Sequence, residues 1–128
     1  MSKPLTILIV DDNLNFVNRL IGLIRELNQV EYIHIAENYD EACAYLSEEI
    51  PDVALLDINL PGKNGLAVLK KIKQEAADCN VIMITNHADD YYRQQCEEMG
   101  AGHFLDKTIE FSRVPQILKE LSLTLAVS

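Results

Sequence analysis

Asp11, Asp12, Asp57, Thr85 and Lys107 share one peculiarity: each stands at or just after the end of a short apolar run. "LTILIV" runs into Asp11–Asp12, "VALL" into Asp57, "NVIMIT" closes on Thr85, and "HFLD" is followed by Lys107. Taken singly, each residue has an ordinary explanation. Asp and Asn start turns and cap helices, so Asp12–Asn13 reads as a cap and Asp57 before Pro61–Gly62 as a turn residue. Thr85 suits a strand, and a lysine after a strand is commonly a solvated end. Taken together they describe a chemistry. Three carboxylates brought close repel one another and raise each other's pKa. A hard divalent cation relieves that repulsion, and magnesium fits best because it takes few carboxylates and keeps phosphate or water oxygens. Lys107 supplies a point charge for a phosphate and Thr85 a hydroxyl donor. An Asp carboxylate is then available as a nucleophile on phosphorus.

That reading requires the run ends to share one edge of the molecule, so the elements must place them there. Leu5–Val10 is the first strand. Leu14, Val17, Leu20, Ile21, Ile24 and Leu27 recur at helical spacing, with Asn13 as N-cap. Glu31–Ala36 is the second strand, and Tyr39, Cys43, Leu46 and Ile50 mark a helix ending near Pro51. Asp52–Leu56 is the third strand, followed by a helix carrying Leu66, Val68, Leu69 and Ile72. Asn80–Thr85 precedes a helix over Ala88–Met99 with Tyr92, Cys96 and Met99 on one face. Ala101–Asp106 is the fifth strand. Phe111, Val114, Ile117, Leu118, Leu121 and Leu125 form the last helix face, with Pro115 in its first turn.

Five strand–helix repeats imply one α/β domain over residues 1–128, a parallel sheet with helices on both faces and right-handed crossovers. The first, third and fourth strands are the most apolar, which suits central places and the order 2-1-3-4-5. In such a sheet ligands bind beyond the strand carboxyl ends, at the switch point between the first and third strands. All five polar residues converge there.

Composition narrows the alternatives. The 128 residues are 48 % hydrophobic and 24 % charged, a globular balance. Twenty acidic and 11 basic residues leave a net charge of −9, which disfavours direct nucleic-acid binding. Cys43, Cys79 and Cys96 have no metal or disulfide spacing and read as small buried hydrophobes in a reduced compartment. No run approaches a signal or membrane segment, so a cytoplasmic location is expected.

"VDD" at Val10–Asp12, "LLDINLPGKNG" at Leu55–Gly65, "MIT" at Met83–Thr85 and "GAGHFLDK" at Gly100–Lys107 together resemble the receiver domain of bacterial two-component response regulators, the chemotaxis-type, flavodoxin-like (βα)5 domain. The resemblance runs from Leu5 to about Leu125. It implies that Asp57 is the phosphoacceptor, and that Asp11, Asp12, Asp57 and the backbone carbonyl of Asn59 hold magnesium. It further implies that Lys107 contacts the phosphoryl group, that Thr85 is the switch hydroxyl, and that Phe104 is the switch aromatic, for which a plain core role competes. A sensor histidine kinase, a phosphotransfer protein or a small acyl phosphate would be the donor. Catalysis would be limited to the domain's own phosphorylation and dephosphorylation. The output surface would be the face of the fourth helix, fifth strand and fifth helix, which would meet a downstream protein or domain or a second copy in a dimer.

The sequence departs from the family pattern in places that bear on phosphate lifetime. Thr108 replaces the usual Pro after the lysine, so a trans bond or an altered loop is expected. Asn86 is larger than the usual residue after the switch Thr, and His87 and Asn59 flank the site. Three other readings stay open: a receiver cut from a longer regulator with a DNA-binding or catalytic output domain, an unphosphorylated interaction module, and a haloacid-dehalogenase-type phosphatase. The last lacks the expected acid two residues after the nucleophile, where Asn59 stands.

Overall fold

A computed structural model of the chain describes residues 3–86 and 89–127. The strands are β1 (Leu5–Val10), β2 (Val30–Ala36), β3 (Val53–Leu56), β4 (Asn80–Thr85) and β5 (His103–Asp106). The helices are α1 (Leu14–Ile24), α2 (Tyr39–Leu46), α3 (Gly65–Glu75), α4 (Asp90–Glu98) and α5 (Val114–Ala126), the last preceded by a 3-10 turn at Phe111–Arg113. All strand pairs are parallel, in the order β2-β1-β3-β4-β5. β1, β3 and β4 are the interior strands, as their apolar runs require for burial on both faces.

Alternation along each strand sends neighbours to opposite faces and makes two cores. Leu8, Val10, Leu56, Val81, Met83 and Phe104 pack with α2, α3 and Cys96 of α4. Ile7, Ile9, Leu55, Ile82, Ile84 and Leu105 pack with α1 and α5. Each fully buried Leu or Ile contributes roughly 1.5–3 kcal/mol, so the two cores supply the rigidity against which a few buried polar groups are held.

The register levels the strand ends. Val10 pairs with both Ala36 and Leu56, and Leu56 with Met83. Asp11 and Asp57 therefore emerge side by side from β1 and β3. Thr85 pairs with Asp106, which brings Lys107 to the same edge.

Several boundaries differ from the sequence expectation. α2 stops at Leu46 with Ser47 as its C-cap, and Ile50, whose backbone Pro51 biases away from the helical region, is 64 % exposed. Cys43 is only half-buried, since the buried stripe of α2 runs through Ala42, Tyr45 and Leu46. Leu14 is 48 % exposed at the start of α1, off the stripe of Phe16, Val17, Leu20 and Ile24. Asp52 lies before β3, its carboxylate accepting from the Thr6 N–H and hydroxyl. β5 begins at His103 because Gly100, at φ 99°, turns the chain first. Phe111 sits in the 3-10 turn, and Pro115 takes the first turn of α5 as expected. The expected start of the fourth helix at Ala88 lies outside the described residues; α4 is capped by the Asp89 side chain, which accepts from the Tyr92 N–H at 2.9 Å. Among the described residues, no helix is long and apolar enough to cross a membrane.

Candidate functional site

Asp11 extends β1 by one residue, donating its N–H to the Ala36 carbonyl at 3.0 Å. Its Oδ1 accepts from the Asn13 N–H at 2.9 Å, and the Asn13 side chain accepts from the Phe16 N–H at 3.1 Å. One turn thus fixes the carboxylate and starts α1. Asp12 faces solvent. Asp57 extends β3 in the same way, donating to the Val10 carbonyl at 3.0 Å, while its Oδ1 accepts from the Asn59 N–H at 3.3 Å. Gly65 starts α3 directly against this strand end. A Cβ there would lie 1.9 Å from the Asp57 carbonyl oxygen, so any other residue forces the backbone to move.

Lys107 arrives from β5, its N–H donating to the Thr85 carbonyl at 3.0 Å. The Asp106 carboxylate accepts from the Thr108 N–H at 2.7 Å and the Ile109 N–H at 3.3 Å, which turns the chain away. The Lys107 side chain crosses the sheet edge and places Nζ 3.0 Å from Asp57 Oδ2 and 2.7 Å from Asp11 Oδ2. The face of the Phe16 ring lies 4.4 Å from the same nitrogen. Asp11, Asp57, Thr85 and Lys107 are all buried.

The charges do not balance. Oxygens of Asp11, Asp12 and Asp57 lie within 4.8 Å of one another, and the Lys107 ammonium pairs with two of these three carboxylates. Burial pushes the Asp11 carboxyl above its ordinary range, with Lys107 and the Asn13 N–H pulling only partly back. The Lys107 ammonium pairs with the buried Asp11 Oδ2 at 2.7 Å, the contact that pulls the carboxyl part of the way back. Three carboxylates that converge within 4.8 Å against a single ammonium form an all-oxygen donor set that fits a hard cation such as magnesium. A recess of about 300 Å³ opens here, lined by Asp12, Asn13, Asp57, Asn59, Asn86 and Lys107. Cys79 and Cys96 are poor nucleophiles: burial pushes the Cys79 thiol up to about 12 and the Cys96 thiol to about 11.

The structure therefore brings together Asp11, Asp12, Asp57, Asn59 and Lys107. Thr85 ends β4 immediately before the lining residue Asn86. Phe104 lies elsewhere, in the core on the α2–α3–α4 side of the sheet, with the Arg93 guanidinium 4.8 Å over its ring and donating to its carbonyl at 3.0 Å. The Lys107–Thr108 bond is trans, as expected, and His87 lies outside the described residues. Sequence reasoning missed Phe16, which helical spacing from Leu20 would have marked as inward-facing but not as a neighbour of Lys107. It also read Asn13 as a cap alone, whereas Asn13 lines the recess as well.

A model of the response regulator receiver domain matches residues 7–119. The chain belongs to the response regulator receiver family. The receiver is 31 % identical over 116 residues to the sensory transduction protein LytT of Bacillus subtilis, covering 91 % of this chain and 47 % of that protein. It is 36 % identical over 105 residues to a cyclic di-GMP phosphodiesterase of Thermotoga maritima, covering 82 % of this chain and 27 % of that one. Among solved structures, a CheY-like receiver domain protein from Methanospirillum hungatei superposes with a TM-score of 0.86 at 24 % identity, covering 99 % of this chain and 100 % of that one. That likeness shows the fold, a flavodoxin-like (βα)5 sheet in the order found here. The receiver spans about half or less of the length of the curated relatives it matches. Its function is that of a receiver in two-component signalling.

Proposed function

We propose that this receiver is a switch operated by phosphorylation of Asp57. The observation that carries the reading is the Lys107 ammonium set between Asp57 Oδ2 and Asp11 Oδ2 at the edge shared by β1, β3 and β5. An Asp57 carboxylate oxygen attacks the phosphorus of a phosphohistidine on a sensor kinase or phosphotransfer protein, or of a small acyl phosphate. The new O–P bond forms as the donor's bond to phosphorus breaks, and the leaving group takes that electron pair. Lys107 turns from the carboxylate to the phosphoryl oxygens, and the Asn59 N–H holds Asp57 in place. Magnesium, when bound, neutralises charge on the carboxylates and the transferring group; Asp11, Asp12, Asp57 and the Asn59 backbone carbonyl would hold it. The aspartyl phosphate is later hydrolysed in the same recess, at a rate that Asn86, Asn59, His87 and Thr108 would tune.

Phosphorylation adds about −1.5 to −2 charges and strong acceptor oxygens. Thr85, at the end of β4, is the hydroxyl that would meet them, and Phe104 the aromatic that would follow. The readout would be the face of α4, β5 and α5, offered to a downstream protein or domain or to a second copy. The net charge of −9 supports protein partners over nucleic acid, and the absence of a membrane-length helix among the described residues agrees with a cytoplasmic site of action. The length of the matched relatives supports a second arrangement, in which this receiver is one part of a longer regulator; the mass of the native gene product tests it.

Incubation with acetyl phosphate and magnesium should add one phosphoryl group, read by intact mass. Asp57→Ala should abolish the addition. Unchanged labelling in that variant would sink the assignment.

A further inference from the structure

The Lys107 ammonium carries three donors and pairs with two carboxylates, Asp57 Oδ2 at 3.0 Å and Asp11 Oδ2 at 2.7 Å. The ring of Phe16 also lies close to its charge, centred 4.4 Å from Nζ. Phe16 and Lys107 are 5 % and 7 % exposed, so water screens this contact little. The ring is set from both sides. Its backbone N–H is held by the Asn13 cap, in the same turn that pins Asp11. Its far neighbour is Phe111, with ring centroids 5.9 Å apart, and the Arg19 guanidinium covers Phe111 at 4.9 Å. Two rings thus lie tilted against each other, each with a cation at its face, and Phe16 lines a cleft together with Asn86, Lys107 and Thr108.

A carboxylate at position 16 would hold Lys107 through a directed bond that must break before the ammonium could turn to a phosphoryl group. A ring face attracts the charge without fixing the direction of its N–H bonds. Resting on the phosphoacceptor reading above, we infer that Phe16 is a positioning residue for phosphotransfer: its ring holds the Lys107 ammonium beside Asp57 and leaves its N–H bonds free to turn onto the incoming phosphoryl group. Phe16 touches no donor molecule in this role, so it acts on the rate of transfer and not on donor affinity.

The test replaces Phe16 site-specifically with mono-, di- and trifluorophenylalanine, which weaken the negative ring face while nearly conserving shape, alongside Phe16→Tyr and Phe16→Leu. Labelling of Asp57 is followed against acetyl phosphate concentration with magnesium present. The maximal rate should fall stepwise along the fluorinated series and reach roughly a tenfold loss in Phe16→Leu, equivalent to about 1.4 kcal/mol of barrier. The half-saturating donor concentration should not change, Phe16→Tyr should retain the wild-type rate, and melting temperatures should stay level across the fluorinated series. A flat rate along that series, with wild-type labelling intact, overturns the role of Phe16 alone. Failure of the wild-type protein to label, or undiminished labelling in Asp57→Ala, overturns the phosphoacceptor reading and this inference with it. Should Phe16→Leu fail to fold, the fluorinated series still decides.

Discussion

Lys107 and Asp57, fifty residues apart in the chain, meet as a buried ion pair with Nζ 3.0 Å from Oδ2. The same ammonium lies 2.7 Å from Asp11 Oδ2, so one cation bridges the ends of β1 and β3. The bridge holds together two carboxylates that would otherwise push the strand ends apart.

Its removal is the most direct test of that role. Lys107→Ala leaves Asp11 and Asp57 buried without a countercharge, a loss of about 3–5 kcal/mol for a broken buried pair. Urea unfolding in EDTA should show this, and added magnesium should restore part of it. Labelling by acetyl phosphate should slow sharply. An unchanged urea midpoint would mean that the carboxylates do not depend on the lysine.

Asp11 predicts a pH dependence. Burial raises its carboxyl above 3.8 in the folded chain, so the folded state binds that proton more readily than the unfolded one. Between 3.8 and the raised value, this group makes the metal-free protein less stable as pH rises. Asp11→Asn should therefore stabilise the protein in EDTA at pH 7, and the gain should shrink as pH falls toward the ordinary carboxylate range. Magnesium should raise the melting temperature of the wild type but not of this variant. Melting curves at two pH values, with and without magnesium, check both statements.

Two glycines of the loop after β3 should behave differently. Gly65→Ala places a Cβ 1.9 Å from the Asp57 carbonyl oxygen and 2.8 Å from the Ile58 Cα, so the backbone must move. About 1–3 kcal/mol of stability should be lost, and labelling should slow because Asp57 moves with the loop. Gly62→Ala meets nothing within 4 Å and strains only its φ of 73°. It should cost about 1–2 kcal/mol and leave the labelling rate unchanged. Equal labelling in both variants would separate the loop backbone from the chemistry.

Phe104 is buried in the core beneath Arg93, away from the recess. Phe104→Ala should lose about 3 kcal/mol of stability as a cavity opens. It should still accept phosphate, with a smaller change at the α4–β5–α5 face. Hydrogen exchange of that face, with and without acetyl phosphate, measures the response. A full response would make Phe104 a core residue only.

Strand–helix alternation, the apolar interior strands and the polar residues at their ends are all properties of local pattern. They were therefore enough to place Asp11, Asp12, Asp57, Thr85 and Lys107 on one edge before any coordinates. Element ends were less legible where a local cap or turn decides them, as at Ser47 after α2 and at Gly100 before β5. Cys43 and Leu14 misled because helical spacing marks apolar residues without saying which side of the stripe meets the sheet.

What the chain order alone determined, then, is which groups reach the edge, because parallel register carries every strand end to the same level. Tertiary structure decided how they meet there. The ammonium of Lys107 bridges two carboxylates, and the ring of Phe16, which the spacing along α1 had passed over, is centred 4.4 Å from the cation. Those contacts join β1, β3, β5 and α1 across long sequence separations. Only side chains packed into one volume settle which partner each buried charge finds.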